Sequence, residues 1–173
     1  MVRLPPTRLA EPKKLDQVIS EAQAKTLATD IPILFEDEYL LVIDKPSGLA
    51  VHGGSGVQLG AIELFRKARP ENAFLELVHR LDRDTSGILI MAKKRSALLE
   101  MHRQIREGLT DKRYRLIAHG AMDAITGTKQ LKFPLLKYVL ENGERRVRVD
   151  PKGQPSHTNI RVTEIVQHDS ACF

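Results

Sequence analysis

Leu77-Val78-His79-Arg80-Leu81-Asp82-Arg83-Asp84-Thr85-Ser86-Gly87 is the stretch on which the fold turns. An apolar strand signal runs into alternating charges and then into a Thr-Ser-Gly turn. The pattern predicts a strand over Leu75–Leu81, a second over Gly87–Ala92, and a loop at Arg83–Ser86 between them. If Arg80 to Asp84 is extended, residues two apart share a face, so Arg80, Asp82 and Asp84 line one side and Leu81 and Arg83 the other. A carboxylate flanked by guanidinium groups at the end of an apolar strand presents an ionised nucleophile to an anionic substrate. A solvated loop with local ion pairs has the same composition, and residue types alone favour that plainer reading.

Working outward, Ile33-Leu34-Phe35 and Leu40-Leu41-Val42-Ile43 read as two short strands around the acidic turn Glu36-Asp37-Glu38. Lys45-Pro46-Ser47-Gly48 breaks the chain, and Val51-His52-Gly53-Gly54-Ser55-Gly56 is a glycine-rich loop without the Gly-Lys-Ser/Thr ending of a phosphate-binding P-loop. Leu59–Ala68 has helical apolar spacing and Pro70 just beyond it. Arg95–Gly108 is the clearest helix, with a stripe of Leu98, Met101, His102 and Ile105 and a C-terminal glycine; on that stripe His102 reads as a packed core histidine. Lys112–His119 alternates as a strand with Tyr114, Leu116 and Ala118 on one face. Further strand signals fall at Leu131–Phe133, Arg146–Val149 and Thr158–Val166. Short strands with interspersed helices and no strict βαβ alternation predict an α+β fold: a mixed, mostly antiparallel sheet with flanking helices. Residues 1–30, with Pro5, Pro6 and Pro12, read as a linker containing at most a marginal helix over Leu15–Leu27, and residues 31–173 as one domain.

The chain has 173 residues, enough for a domain with a real core, and 42% hydrophobic and 28% charged residues, ordinary for a globular protein. There is no apolar run long enough to span a membrane, and the N-terminus lacks an apolar signal core. One cysteine excludes an internal disulfide framework, which makes a reducing, cytoplasmic setting the expectation. The net charge is +5, and residues 76–115 carry ten basic against six acidic residues, most of the excess. That surplus surrounds the charged motif and favours an anionic partner, although a solvated helix face accounts for many such runs.

Metal-ligand spacing, a nucleophile elbow and a dinucleotide fingerprint are all missing from the sequence. What remains is carboxylate chemistry beside basic residues. An exposed carboxylate is ionised at neutral pH and is able to attack a sugar carbon. Asp82 and Asp84 also read as a hydrolase pair, a reading disfavoured because one member would need a raised pKa and the nearby arginines oppose that.

His79-Arg80-Leu81-Asp82-Arg83-Asp84-Thr85-Ser86-Gly87 after a Leu-Val strand resembles the signature of the RluA-type pseudouridine synthases. Lys45-Pro46-Ser47-Gly48 with Ala50–Gly56 resembles that family's second element, and Lys112-Arg113-Tyr114-Arg115 its Lys-x-Tyr element, in matching order and spacing over roughly residues 31–173. The resemblance implies a pseudouridine synthase catalytic-domain fold and isomerisation of uridines in large-subunit ribosomal RNA. It makes Asp82 the catalytic carboxylate, attacking C1′ or abstracting a sugar proton, and Tyr114 the residue that stacks on uracil and helps remove the C5 proton. Arg80, Arg83, Lys45 and His52 are then RNA contacts; turn and loop roles fit Lys45 and His52 equally well. The target uridine must leave the stack to be reached. No metal or organic cofactor and no membrane is implied, and the chain is expected to act as a monomer. The family's later Gly-Arg-x-His-Gln-Ile-Arg-like element, whose basic residue pairs with the aspartate, has no match in 120–173. A partial catalytic domain, truncated at the C-terminus, is therefore expected, and a non-catalytic RNA-binding fragment is the alternative.

Overall fold

The computed structural model describes residues 19–53, 59–118, 127–141, 143 and 145–165. The chain divides into two compact units, Met1–Arg113 and Tyr114–Phe173. The expected α+β class holds, and among the described residues every strand pairing is antiparallel.

The first described element is helix α1 (Glu21–Thr29), in the stretch read as a linker with a marginal helix over Leu15–Leu27. Ser20-Glu21-Ala22-Gln23 is a capping box: Ser20 Oγ accepts the Gln23 N–H at 3.1 Å and Gln23 Oε1 accepts the Ser20 N–H at 2.7 Å. Ala24 and Ala28, one turn apart, are buried, and their small side chains let α1 pack closely on the next helix. The folded unit thus begins before Ile31; the first eighteen residues lie outside the described ones. Strands β1 (Ile33–Glu36) and β2 (Leu40–Lys45) form the expected hairpin, and Asp37 Oδ1 accepts the N–H groups of Tyr39 and Leu40 at 2.7 Å to turn the chain. Helix α2 (Ala61–Ala68), strands β3 (Glu76–Leu77) and β4 (Gly87–Ala92) and helix α3 (Arg95–Arg106) follow.

The sheet order is β1-β2-β4-β3. In β2 and β4, Leu41 opposes Met91 and Ile43 opposes Leu89, all fully buried on one face with Ile62 and Phe65 of α2. Each such side chain contributes about 1.5–3 kcal/mol through burial. Arg69 and Lys93 converge on Glu36 at 2.7 and 2.9 Å. Burial pushes that carboxyl up, but the two cations prevail and hold it below the usual range. Helix α3 ends in a Schellman motif: Gly108 has φ +70°, its N–H reaches Ile105 O, and the Leu109 N–H reaches Gln104 O. The glycine stop read from sequence is borne out.

Two strand expectations fail. The strand over Leu75–Leu81 is confined to β3, for a reason that lies in two histidines described below. Residues 111–118 carry no regular structure and are exposed, Tyr114 at 59% and Ile117 at 97%. Alternation describes a strand only when a neighbour takes its backbone bonds, and among the described residues none pairs with this segment; His119 lies outside them.

In the second unit, β5 (Thr128–Leu131) pairs with β8 (Thr158–Arg161), and β6 (Leu135–Val139) pairs with β7 (Arg145–Val149). β5 ends where the expected strand begins, β8 stops short of Val166, and β6 was not anticipated. Leu135 and Gln154 exchange backbone bonds at 2.8 and 3.0 Å. Among the described residues no helix is long and apolar enough to cross a membrane.

Candidate functional site

Asp82, Arg83, Asp84 and Thr85 form a turn closed by the Thr85 N–H on Asp82 O at 3.2 Å. Aspartate is favoured at the first position of such a turn. The segment is therefore not an extended strand, and the alternation that would align Arg80, Asp82 and Asp84 on one side does not apply. Asp82 is exposed, as are Arg80 and Arg83.

What holds this turn is the segment after β2. The Gly48 N–H donates to Arg83 O at 2.9 Å, Arg83 Nε donates to Gly48 O at 3.0 Å, and Ser47 Oγ donates to Asp84 O at 2.8 Å. Gly48 sits at φ +85°, a conformation L side chains rarely adopt, so the turn needs glycine there. The two motifs singled out in the sequence are thus sewn together by one backbone bond and by the Arg83 and Ser47 side chains reaching main-chain oxygens.

Lys45 is where an RNA contact was expected, and the structure corrects this. The side chain is 0% exposed, and Nζ donates to Pro46 O at 3.0 Å, Leu49 O at 2.8 Å and Arg83 O at 3.0 Å. An ammonium has three protons, and these carbonyls take all three. Burial lowers its pKa, while Asp84 and Asp82 act to raise it. Lys45 is an internal pin that fixes the Asp82 turn and places a positive charge behind it.

His52 lies on the exposed side of the same segment. Its Nδ1 is 3.3 Å from Glu63 Oε1, while Glu63 Oε2 accepts the N–H groups of Gly53 and Gly60 at 3.0 Å. Burial pushes the Glu63 carboxyl up, but these bonds outweigh it and lower the pKa. Gly60, at the start of α2, lies against the His52 backbone: a Cβ there would stand 2.4 Å from His52 C and 2.7 Å from Gly53 N. Gly60→Ala is expected to lower stability by about 2 kcal/mol, read as a lower urea midpoint at unchanged m-value. An unchanged midpoint would show that the loop yields freely. The glycine-rich loop beyond Gly53 falls largely outside the described residues.

Tyr114 is exposed and opens the second unit. His102, read as a core histidine, is exposed, and its Nε2 lies 3.1 Å from Val78 O. Among the described residues no group of three or more His, Cys, Asp or Glu is placed to hold a metal ion.

Sequence reasoning missed the basic face of α3. At 3.6 residues per turn, Arg95, Leu99, His102 and Arg106 fall within about 60° of arc. All four are exposed, and the His102 contact sets the middle of this stripe beside the entry to the Asp82 turn. The adjacent face neutralises itself: Arg103 pairs with Glu100 at 2.7 Å and with Glu107. Its bonds with Arg103 and Gln104 hold the Glu100 carboxyl down at about 2. Neither Arg95 nor Arg106 makes an ion pair among the described residues. Spacing of carboxylates three and four residues from Arg103, and none so placed on the 95–99–102–106 line, is the signal that would have found it.

Comparison with known proteins follows this geometry. Residues 39–171 match the family model described as RNA pseudouridylate synthase. The ribosomal large subunit pseudouridine synthase C of Escherichia coli K12 is 50% identical over 163 residues, 94% of this chain and 50% of that protein. Its counterpart in Yersinia pestis is 48% identical over 97% of this chain and 51% of its own length, and that of Pasteurella multocida 51% identical over 95% and 49%. The chain spans about half the length of these relatives. Human RNA pseudouridylate synthase domain containing 4 has the same fold, with TM-score 0.56 and 24% identity over 80% of this chain and 56% of that one.

Proposed function

The chain belongs to the RNA pseudouridylate synthase family, and from that premise we propose that it isomerises uridines of large-subunit ribosomal RNA to pseudouridine, with Asp82 as the catalytic carboxylate. In this reaction the N1–C1′ bond breaks, the uracil turns, C5 bonds to C1′, and the proton leaves C5 while N1 gains one. Nothing is oxidised or reduced, and the proposed reaction uses no metal or organic cofactor. The observation that carries the reading is an exposed Asp82 on a turn fixed from behind by Lys45 and Gly48. A solvent-open carboxylate carried on a fixed turn suits attack at C1′ or proton abstraction from the sugar of an extruded nucleotide.

Arg80 is assigned to fill the gap left by the extruded base, and Arg83 and His52 to phosphates. Tyr114 keeps the uracil-stacking role on the strength of its Lys-Arg-Tyr-Arg context alone. The enzyme is proposed to act in the cytoplasm, where its substrate is made, as a monomer.

The test supplies the purified chain with large-subunit ribosomal RNA from a strain lacking the corresponding full-length gene and maps pseudouridine chemically. New pseudouridine at discrete positions supports the reading; RNA binding with none formed favours a binding fragment.

The basic face of α3 gives a separate expectation for RNA binding. Replacing Arg95 and Arg106 together by alanine is expected to reduce the slope of log affinity against log salt by about 2 and weaken binding at least about tenfold. Arg103→Ala, which removes an already paired cation, is expected to leave the slope unchanged. Equal slopes in all three proteins would place RNA elsewhere.

A further inference from the structure

β3 stops after two residues because two histidines take apart the next pair of sheet bonds. Glu76 opposes Ala92 and Leu77 opposes Met91, so Val78 comes opposite Ile90. A hydrogen-bonded antiparallel pair exchanges two N–H···O bonds. Here one is made, Val78 N–H to Ile90 O at 3.0 Å. The other is not: the Ile90 N–H goes to His79 Nε2 at 3.3 Å, and Val78 O faces His102 Nε2 at 3.1 Å. Each histidine satisfies one half of the missing bond, and the chain leaves the sheet at His79 to enter Arg80 and the Asp82 turn.

We infer that His79 is a positioning residue: its neutral imidazole, accepting the Ile90 N–H, ends β3 and fixes where the Asp82 turn begins. To accept, Nε2 must carry a lone pair, so the ring is the Nδ1–H tautomer. A protonated ring turns a donor toward the Ile90 N–H, and the contact is lost. Burial holds the pKa of His79 below its ordinary value, opposed by a backbone bond at Arg80 and reinforced by Lys112. Among the described residues, the groups that bear on the ring are a backbone bond at Arg80, Lys112 after α3, and His102 of α3 at the same broken pair of sheet bonds; β4 carries no ionisable side chain. None is an anion that would stabilise the imidazolium. Because the folded value lies below the unfolded one, the contribution is whole above the ordinary histidine pKa and is lost as pH falls through the folded value.

The inference rests on the proposed activity for its kinetic arm but not for its spectroscopic one. Imidazole nitrogen shifts of the full chain are expected to show His79 as the Nδ1–H tautomer at pH 7.5. Hydrogen-exchange protection of the Ile90 amide is expected to fall in acid in step with protonation of the His79 ring, followed by the same nitrogen shifts. An Nε2–H tautomer, or Ile90 protection indifferent to pH, overturns the inference whether or not the chain makes pseudouridine. In the kinetic arm, His79→Gln supplies an acceptor oxygen near the place of Nε2 and does not titrate. It is expected to keep kcat within about threefold at pH 7.5 and to lose the acid limb seen in the native protein. His79→Leu orphans the Ile90 N–H and is expected to lower kcat by about tenfold with RNA affinity nearly unchanged. A native acid limb that persists in His79→Gln overturns the positioning role.

Discussion

Asp82→Asn is expected to abolish pseudouridine formation, by about a thousandfold or more, while leaving RNA affinity within about twofold. The substitution changes almost nothing else. The side chain is exposed, and what the residue gives the turn is its backbone carbonyl, which still accepts the Thr85 N–H. Asparagine suits the same turn position, so the melting temperature should stay within about a degree, as for surface changes generally. What is lost is an anionic oxygen able to attack a sugar carbon or remove a proton, which a carboxamide does poorly. Release of tritium from RNA labelled at uridine C5 measures the reaction, and filter binding measures affinity. Asp84→Asn is the control. If it were as damaging, and free uracil appeared, the paired-carboxylate hydrolase weighed from the sequence would regain its place.

The second large effect concerns a residue that touches no RNA. Lys45→Met is expected to lower stability by about 2–4 kcal/mol, a shift of about 5–10 °C in a chain of this size. It should also cut activity at a temperature where the protein remains folded. Two opposed terms decide the sign. Removing a buried ammonium relieves the desolvation that depresses its pKa. Against this, the Pro46 and Leu49 carbonyls lose the donor they share, and Arg83 O keeps only the Gly48 N–H. Hydrogen bonds from a charged donor contribute about 1.5–3 kcal/mol each, and three part-buried ones are lost together, so the loss exceeds the relief. Native-like stability and turnover in Lys45→Met would refute the account of Lys45 as the pin behind the turn.

These two residues also show how far the sequence was legible. The β1–β2 hairpin, β4, α2 and α3 could be read because apolar periodicity is a local property, even though only β2, β4 and α2 among them carry fully buried residues. Asp82 could be singled out because motif order survives in the chain itself, and the structure leaves it exposed. Lys45 was misread because burial is a tertiary fact: its Nζ meets Arg83 O across thirty-eight residues of sequence. The length of β3 was misread because the sheet bonds of Val78 and Ile90 are diverted by His79 and by His102, the latter from a helix a whole element away. The 112–118 segment was misread because alternation predicts a strand only if a neighbour is present to accept it. α1 was underestimated because its stripe is alanine, weak in hydrophobicity, although its Ser-x-x-Gln start was there to be seen.

The seam between Gly48 and the 83–84 peptide units has an evolutionary consequence. It grips a main-chain oxygen at position 84, so a change of that side chain leaves the Ser47 bond in place, while removing a carboxylate that favours the charge on Lys45. At position 48 the backbone angle admits little but glycine. Variation across descendants should therefore be narrower at position 48, where the angle requires glycine, than at position 84.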